Sequence, residues 1–299
     1  MISGLQANTP SFLASLSSLE NRLSQVNQQM SSGYRVNQAS DDPTAIAPIL
    51  AYQGRLNYIN QIKTNLTQAQ TEAQSADSAL QQASSLIDQL VSLGSQGASS
   101  TSTPSSRTVL GQKVQAIEQQ LANIANTAVN GRYIFGGDDG STMPYTYTGS
   151  GSNGVSQNNT SGNTEILRDS DGNEITPRMT ADQIFDSPGG SIFQAAFHLG
   201  SALLSNNQSG IQTAITEVSN SQQQLAAATT NYGNIENWIS SGISSATSHV
   251  NSLTEALSAV RDADLPTLAT QLTADETAMQ AAISADGSLN VKSLFDYMG

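Results

Sequence analysis

Residues 30–47 read Met30-Ser31-Ser32-Gly33-Tyr34-Arg35-Val36-Asn37-Gln38-Ala39-Ser40-Asp41-Asp42-Pro43-Thr44-Ala45-Ile46-Ala47. They separate two heptad-patterned segments, so the chain is laid out as a helix, a break and a longer helix. Gly33 suits the left-handed position that ends a helix, because glycine takes positive φ without a steric cost. Tyr34, Arg35 and Val36 read as extended chain. Ser40 or Asp41 then offers an N-cap oxygen, and Pro43 falls in the first helical turn, where its missing N–H does no harm. Arg35 is placed to reach Asp41, Asp42 or a neighbouring molecule, or to stay solvated.

Upstream, the apolar residues Phe12, Leu16, Leu19, Leu23, Val26 and Met30 alternate steps of four and three. That is the 3.5-residue period of a coiled-coil seam, and it asks for a partner helix. Downstream the same rhythm runs through Ile59, Ile62, Leu66, Ala69, Ala73, Ala76, Leu80, Ala83, Ile87 and Leu90. The alanines bury little area but admit a close neighbour, and residues 44–93 would form a rod about 75 Å long at 1.5 Å per residue. The Gly/Ser/Thr/Pro cluster at 94–106 reads as a reversing loop. A third seam, Leu110, Val114, Ile117, Leu121, Ile124 and Ala128, then packs back as an antiparallel hairpin and stops at Asn130-Gly131. Arg132 to Phe135 reads as a strand closed by Gly136-Gly137.

Between 136 and 190 the helical period disappears and Gly, Asn, Asp, Ser and Thr dominate. Tyr145 and Tyr147 alternate with polar residues, 149–162 reads as a mobile loop, and 165–168 faces 173–176 across Asp171-Gly172 as a hairpin. Helix resumes at Ile192, Ala196, Leu199 and Leu203 and pauses at 206–210. A long seam follows at Ile215, Val218, Gln222, Leu225, Thr229, Tyr232, Glu236, Ile239, Ile243, Ala246, Val250, Leu253, Leu257 and Val260. Its polar members would fix register at a cost in stability. Residues 262–266 break it, a last helix carries Leu265, Leu268, Leu272, Met279 and Ile283, and Gly287 leads into an apolar tail with Leu294 and Phe295.

The predicted fold is mainly α with a small β-rich insert: a long coiled-coil bundle built from both chain ends. The expected domains are terminal helices at 1–42 and 262–299, a bundle at 43–135 and 191–261, and the insert at 136–190. Two short helices, 12–30 and 268–298, are marginal if they pair only with each other, so they are expected to be poorly ordered in the free monomer and to fold between copies.

With 11 Lys+Arg against 24 Asp+Glu the net charge is −13, which repels a phosphate backbone and argues against nucleic acid. There is no cysteine, hence no disulfide framework or thiolate site. The first residues lack the basic and apolar regions of a cleavable signal, and no apolar run approaches the ~18 residues that span a bilayer. At 299 residues the chain has room for about two domains.

The motif of Ser32, Gly33, Arg35, Asn37, Asp41, Asp42 and Pro43, together with coiled-coil ends and a variable middle, resembles the bacterial flagellin family over roughly the first 135 and last 105 residues. Pro43 after the Asp pair, the segment from Asn130 to Gly136 and the ending Ser293-Leu294-Phe295-Asp296-Tyr297-Met298 are most similar to the hook-associated branch of that family. The resemblance implies a structural, non-enzymatic role in motility: self-assembly in a ring or tube, contact with a preceding hook-associated protein and with flagellin, and a location at the hook–filament junction outside the cell. It further implies type III export without signal cleavage and a chaperone on 262–298. The assembly seams would be Phe12, Leu16, Leu19, Leu23, Val26 and Met30 at one end, with Leu268, Leu272, Met279, Ile283, Leu294 and Phe295 at the other. A filament flagellin is the alternative within the family.

No catalytic residue, metal or cofactor is expected. Residues 169–173 hint at a calcium loop, but Glu174 stands where that loop needs Gly and Thr180 where it needs Glu, so a turn is the reading. His198 and His249 are the only histidines and lie in no HExxH pattern. With Ser abundant and the histidines on helices, a hydrolytic triad is not read here; an enzyme or ligand-binding module in the insert is the reading from another class. Trp238 and Tyr232 are expected to fill packing.

Overall fold

The computed structural model describes residues 3–158, 164–187 and 190–298, with the backbone alone for 3–10 and 286–298. Among the described residues it holds seven helices: α1 (Ser3–Ser32), α2 (Pro43–Ala98), α3 (Pro104–Ala125), α4 (Ala181–Phe185), α5 (Ile192–Leu204), α6 (Gln208–Arg261) and α7 (Leu265–Met298). Four two-stranded antiparallel sheets pair β1 (Ala128–Val129) with β2 (Arg132–Tyr133), β3 (Tyr145–Tyr147) with β4 (Val155–Gln157), β5 (Leu167–Arg168) with β6 (Glu174–Ile175), and β7 (Asp186–Ser187) with β8 (Gly190–Ser191). The mainly α architecture with a small β insert is therefore as the periodicities predict. The chain divides into two compact units, 1–58 with 250–299, and 59–249.

The unit of residues 59–249 has a continuous core. All ten positions of the α2 seam, Ile59 to Leu90, are buried, as are Val114, Leu121, Leu199, Leu203 and Val218. The predicted loop at 94–106 is shorter than expected, because α2 continues to Ala98. Gly94 and Gly97 are packing positions: a Cβ at Gly94 would come within 2.7 Å of Ile215 Cγ1, and one at Gly97 would strike Leu203. Arg107 ties the true reversal at 99–103, donating to the carbonyl of Gly97 (2.8 Å), to Asn206 Oδ1 (2.5 Å) and to Gln208.

Asn130-Gly131 is a tight turn, and it does not end the third helix. That helix stops at Ala125, with Asn126 as its C-cap. Asn130 and Gly131 both take positive φ, 52° and 78°, as the two-residue turn joining β1 and β2 requires. Of the expected strand, Arg132 and Tyr133 form the β1–β2 ladder, Ile134 N still donates to Thr127 O at 3.0 Å, and the side chains of Ile134 and Phe135 are buried in the core.

The α6 seam also differs from the reading. Gln222 is exposed and bonds Asp88, while Thr229 and Glu236 are half-buried at the rim. The buried positions lie one residue earlier, at Ala214, Ser221, Ala228, Ile235 and Gly242, alternating with Val218, Leu225, Tyr232, Ile239 and Ala246. Small side chains let α6 come close: a Cβ at Gly242 would sit 3.1 Å from Leu66 Cδ1. Tyr232 fills the core, but Trp238 is 58% exposed and packs nothing comparable.

The insert is seated on its own unit. Phe135, Tyr145, Phe185, Phe193 and Tyr232 form an aromatic cluster with ring centroids 4.7–6.4 Å apart. Arg178 is buried and pairs with Glu72 of α2 at 2.6 Å and with Glu165 at 2.7 Å. Part of the expected mobile loop at 149–162 is strand β4, and 159–163 lies outside the described residues. The β5–β6 hairpin forms in the expected register, Leu167 opposite Ile175.

Candidate assembly interface

In the unit of residues 1–58 and 250–299, α1 and α7 pack on each other as a two-helix pair. On α1, Leu19 and Val26 are buried and Phe12, Leu16 and Leu23 half-buried, while Met30 is 36% exposed. On α7, Leu268 is buried and Leu272 and Met279 half-buried. Ile283 is exposed, and the seam at that level is carried by Ala282. Leu294 and Phe295 sit on the described backbone of α7, but their side chains lie outside the described residues. A groove of about 520 Å³ runs between the helices, lined by Phe12, Leu16, Leu19, Arg22, Ala278 and Ala282. The pairing covers the stripe only in part: Leu19, Val26 and Leu268 are buried, while Phe12, Leu16, Leu23, Leu272 and Met279 stay half-exposed.

Asp275 was not picked out by apolar periodicity, yet it occupies a seam position between Leu272 and Met279. Its side chain is buried; Oδ1 accepts from Arg22 at 3.2 Å, and Oδ2 is buried with no partner. A buried acceptor left unmet costs about 1–3 kcal/mol. The heptad step of three from Leu272 is the signal that could have found it.

The motif residues come together as one joint. Gly33 takes φ 74° and closes α1 by donating to Gln29 O at 2.8 Å. Tyr34 bridges antiparallel to Asp262; Arg35 N donates to Arg261 O at 2.7 Å, and Ala263 N to Gly33 O at 3.0 Å. Arg35 reaches Asp42 at 2.9 Å and the carbonyl of Val260 at 2.7 Å. Arg261 lies over the Tyr34 ring, 4.0 Å from its centroid. Val36 drops into a small apolar cluster with Ala45, Ile49 and Leu257.

The α2 cap is Asp42, a correction to the choice of Ser40 or Asp41. Asp42 Oδ1 accepts from Thr44 N (3.1 Å), Thr44 Oγ1 (2.6 Å) and Ala45 N (3.2 Å), with Pro43 as the first helical residue. The Thr44 hydroxyl and then Arg35 hold the Asp42 carboxyl down at about 2. Asp41 instead closes the preceding turn, accepting from the N–H groups of Gln38 and Asn37, which lower its carboxyl. Asn37 donates to Tyr34 O, and Ser32 Oγ accepts from Tyr34 N.

The polar groups of the insert serve anchoring. Asp169 accepts from Asp171 N, Asn173 N and Asn173 Nδ2, which makes 169–173 a closed turn. Ser245 Oγ donates to Asp171 at 2.5 Å, and His249 Nε2 lies 2.9 Å from the same carboxylate. Hydroxyl and imidazole both address the acid, so Ser245 has no base hydrogen-bonded to it as a triad needs. His198 pairs with Glu217 at 2.8 Å. Among the described residues no helix is long and apolar enough to cross a membrane.

Residues 5–139 match the family of the bacterial flagellin N-terminal helical region. No curated protein sequence matches the chain. Similar solved structures include a flagellar hook-associated protein from Vibrio parahaemolyticus, 17% identical with a TM-score of 0.66, covering 74% of this chain and 99% of that one. The flagellar junction protein FlgL from Legionella pneumophila is 14% identical with a TM-score of 0.55, covering 64% and 99%. FlgL from Xanthomonas campestris is 13% identical with a TM-score of 0.54, covering 61% and 92%. At these identities the likeness is one of fold. The chain thus carries the flagellin N-terminal helical region over residues 5–139 and has the fold of the flagellar hook-associated proteins.

Proposed function

We propose that the chain is a structural component of the bacterial flagellum that joins the hook, through a preceding hook-associated protein, to the first filament subunits. The observation that carries this reading is the half-covered α1–α7 seam, in which Asp275 Oδ2 is buried without a donor and Met30 and Ile283 stay exposed. In a tubular assembly, helices of neighbouring copies cover the open edge. Residues 1–42 and 262–299 then act as the inner assembly domain, 43–135 and 191–261 as the bundle and 136–190 as the variable insert. Segments 12–30 and 268–285 are loosely held in the free monomer and firm up between copies. This role needs no catalysis. Export through the flagellar type III channel, with a chaperone on 262–298, belongs to the same reading.

Deleting the gene in the native host tests it. Hooks without filaments, with flagellin released into the medium, is the expected phenotype; intact filaments would overturn the connector role. The match to the flagellin N-terminal region also favours a second reading, a filament subunit. Purified chain that polymerises by itself into long filaments would select it.

A further inference from the structure

The unit of residues 59–249 contains a carboxyl that neither the assembly role nor the anchoring network uses. Glu118 lies on α3 at 1% exposure, and its Oε1 has no hydrogen-bond partner. The tip of the β3–β4 hairpin sits directly on it. At Gly154 (φ 70°) an added Cβ would fall on the Glu118 carboxyl, 2.6 Å from Cδ. The tip is held in that shape by Thr148 N and Gly149 N, which both donate to Gly154 O at 2.9 Å.

The other end of the hairpin is fixed. Asn126 donates to Tyr145 O at 2.7 Å and accepts from Tyr145 N at 2.9 Å, and the Tyr145 hydroxyl donates to Asp186 at 2.6 Å. The Tyr145 ring is fully buried against Phe185 and Phe193. A flap hinged at Tyr145 therefore closes its free tip over an unpartnered acid.

We propose that Glu118 is a protonation-dependent latch: as a neutral acid it lets the hairpin tip at 148–154 close, and as a carboxylate it drives the tip open to water.

Among the described residues no ion pair or hydrogen-bond donor offsets a charge on Glu118. Gly200 of α5 faces Val114 and Leu204 faces Gly111. That antiparallel register brings the uncharged Ala196 and Phe197 level with Glu118. His198, the titratable group of α5, is engaged with Glu217 of α6. From the hairpin, Tyr147 faces the site; burial and then the Glu118 charge raise its phenol. Asp186 and Asp182 act on Tyr145. Burial alone pushes the Glu118 carboxyl up from 4.5 to about 7. Closure thus takes up a proton: the tip is held most firmly below about pH 4.5, loosens as pH rises from there to about 7, and changes little above that.

Hydrogen exchange of the full-length protein, read as protection factors of the β3–β4 amides, tests the latch. Protection is expected to fall about a hundredfold between pH 4.5 and 7 while α2 is unchanged, and Glu118→Gln should remove the pH dependence. Protection that stays flat in the wild type, or a fall that persists in Glu118→Gln, overturns the proposal. Should that variant misfold, the wild-type Glu118 carboxyl resonance decides: titration near 7 supports the latch and titration near 4.5 refutes it. Gly154→Ala, which props the tip off the acid, should return the titration to the ordinary range.

Discussion

The two units of the chain bury their apolar residues to different degrees. In residues 59–249, large side chains from Ile59 to Ile239, among them Leu66, Leu121, Phe185, Leu199 and Tyr232, have less than 2% of their surface exposed. In the other unit no apolar side chain with described burial is so well covered: Val26 keeps 3%, Val36 6%, and Leu19 and Leu268 7% each. One unit is closed by its own chain, and the other leaves its apolar side chains partly exposed. A fully buried Leu or Ile contributes about 1.5–3 kcal/mol, so the α1–α7 pair falls well short of what its sequence offers until a second layer covers it.

The contrast is broken most forcefully by hollowing the finished unit. Phe185→Ala removes the ring at the centre of the aromatic cluster and should cost about 3–5 kcal/mol in the denaturation of that unit. A loss under about 1 kcal/mol would mean the cluster is not its core. The next test compares exchange rates. In the monomer, amides of residues 12–30 and 268–285 should exchange at least about a hundredfold faster than those of α2 from Ile59 to Leu90. Equal protection would end the idea that the seam waits for a neighbour.

Smaller effects sharpen the comparison. Asp275→Leu replaces an unmet acceptor with apolar surface and should stabilise the α1–α7 pair by about 1–3 kcal/mol in the monomer. A loss of stability, measured by urea titration, would show that the Arg22 contact outweighs the orphan oxygen. Acid gives the mildest effect. Asp42 is held at about 2, below its ordinary 3.8, so its contribution to the joint is complete above about pH 3.8 and is lost as pH falls toward 2. Circular dichroism of the helices should therefore hold steady down to about pH 4 and decline below it, with Asp42→Asn showing no such step.

Much of this layout is legible from apolar spacing, and each miss has a physical cause. The α2 seam was readable because Ile59, Leu66, Leu80 and Ile87 are large and regularly placed. The α6 seam was displaced by one residue at alternate positions because Ala214, Ser221 and Gly242 act by being small, which hydrophobicity does not register. Gly94 and Gly97 read as loop residues for the same reason, since a glycine that admits Leu203 or Ile215 looks in sequence like one that permits a turn. Sequence alone does not single out Asp42 as the cap, because Ser40, Asp41 and Asp42 stand in a row and only geometry separates them. At the interface the motif residues were visible as a group, but Asp275 was hidden by being polar in an apolar seam.

The backbone bridge between Gly33 and Ala263 has a mechanical consequence. Two interstrand hydrogen bonds, Arg35 N to Arg261 O and Ala263 N to Gly33 O, stitch the connector after the first helix to the one before the last. Torque or tension entering through either chain terminus is thereby shared at a single hinge pin, and the two ends turn together under load.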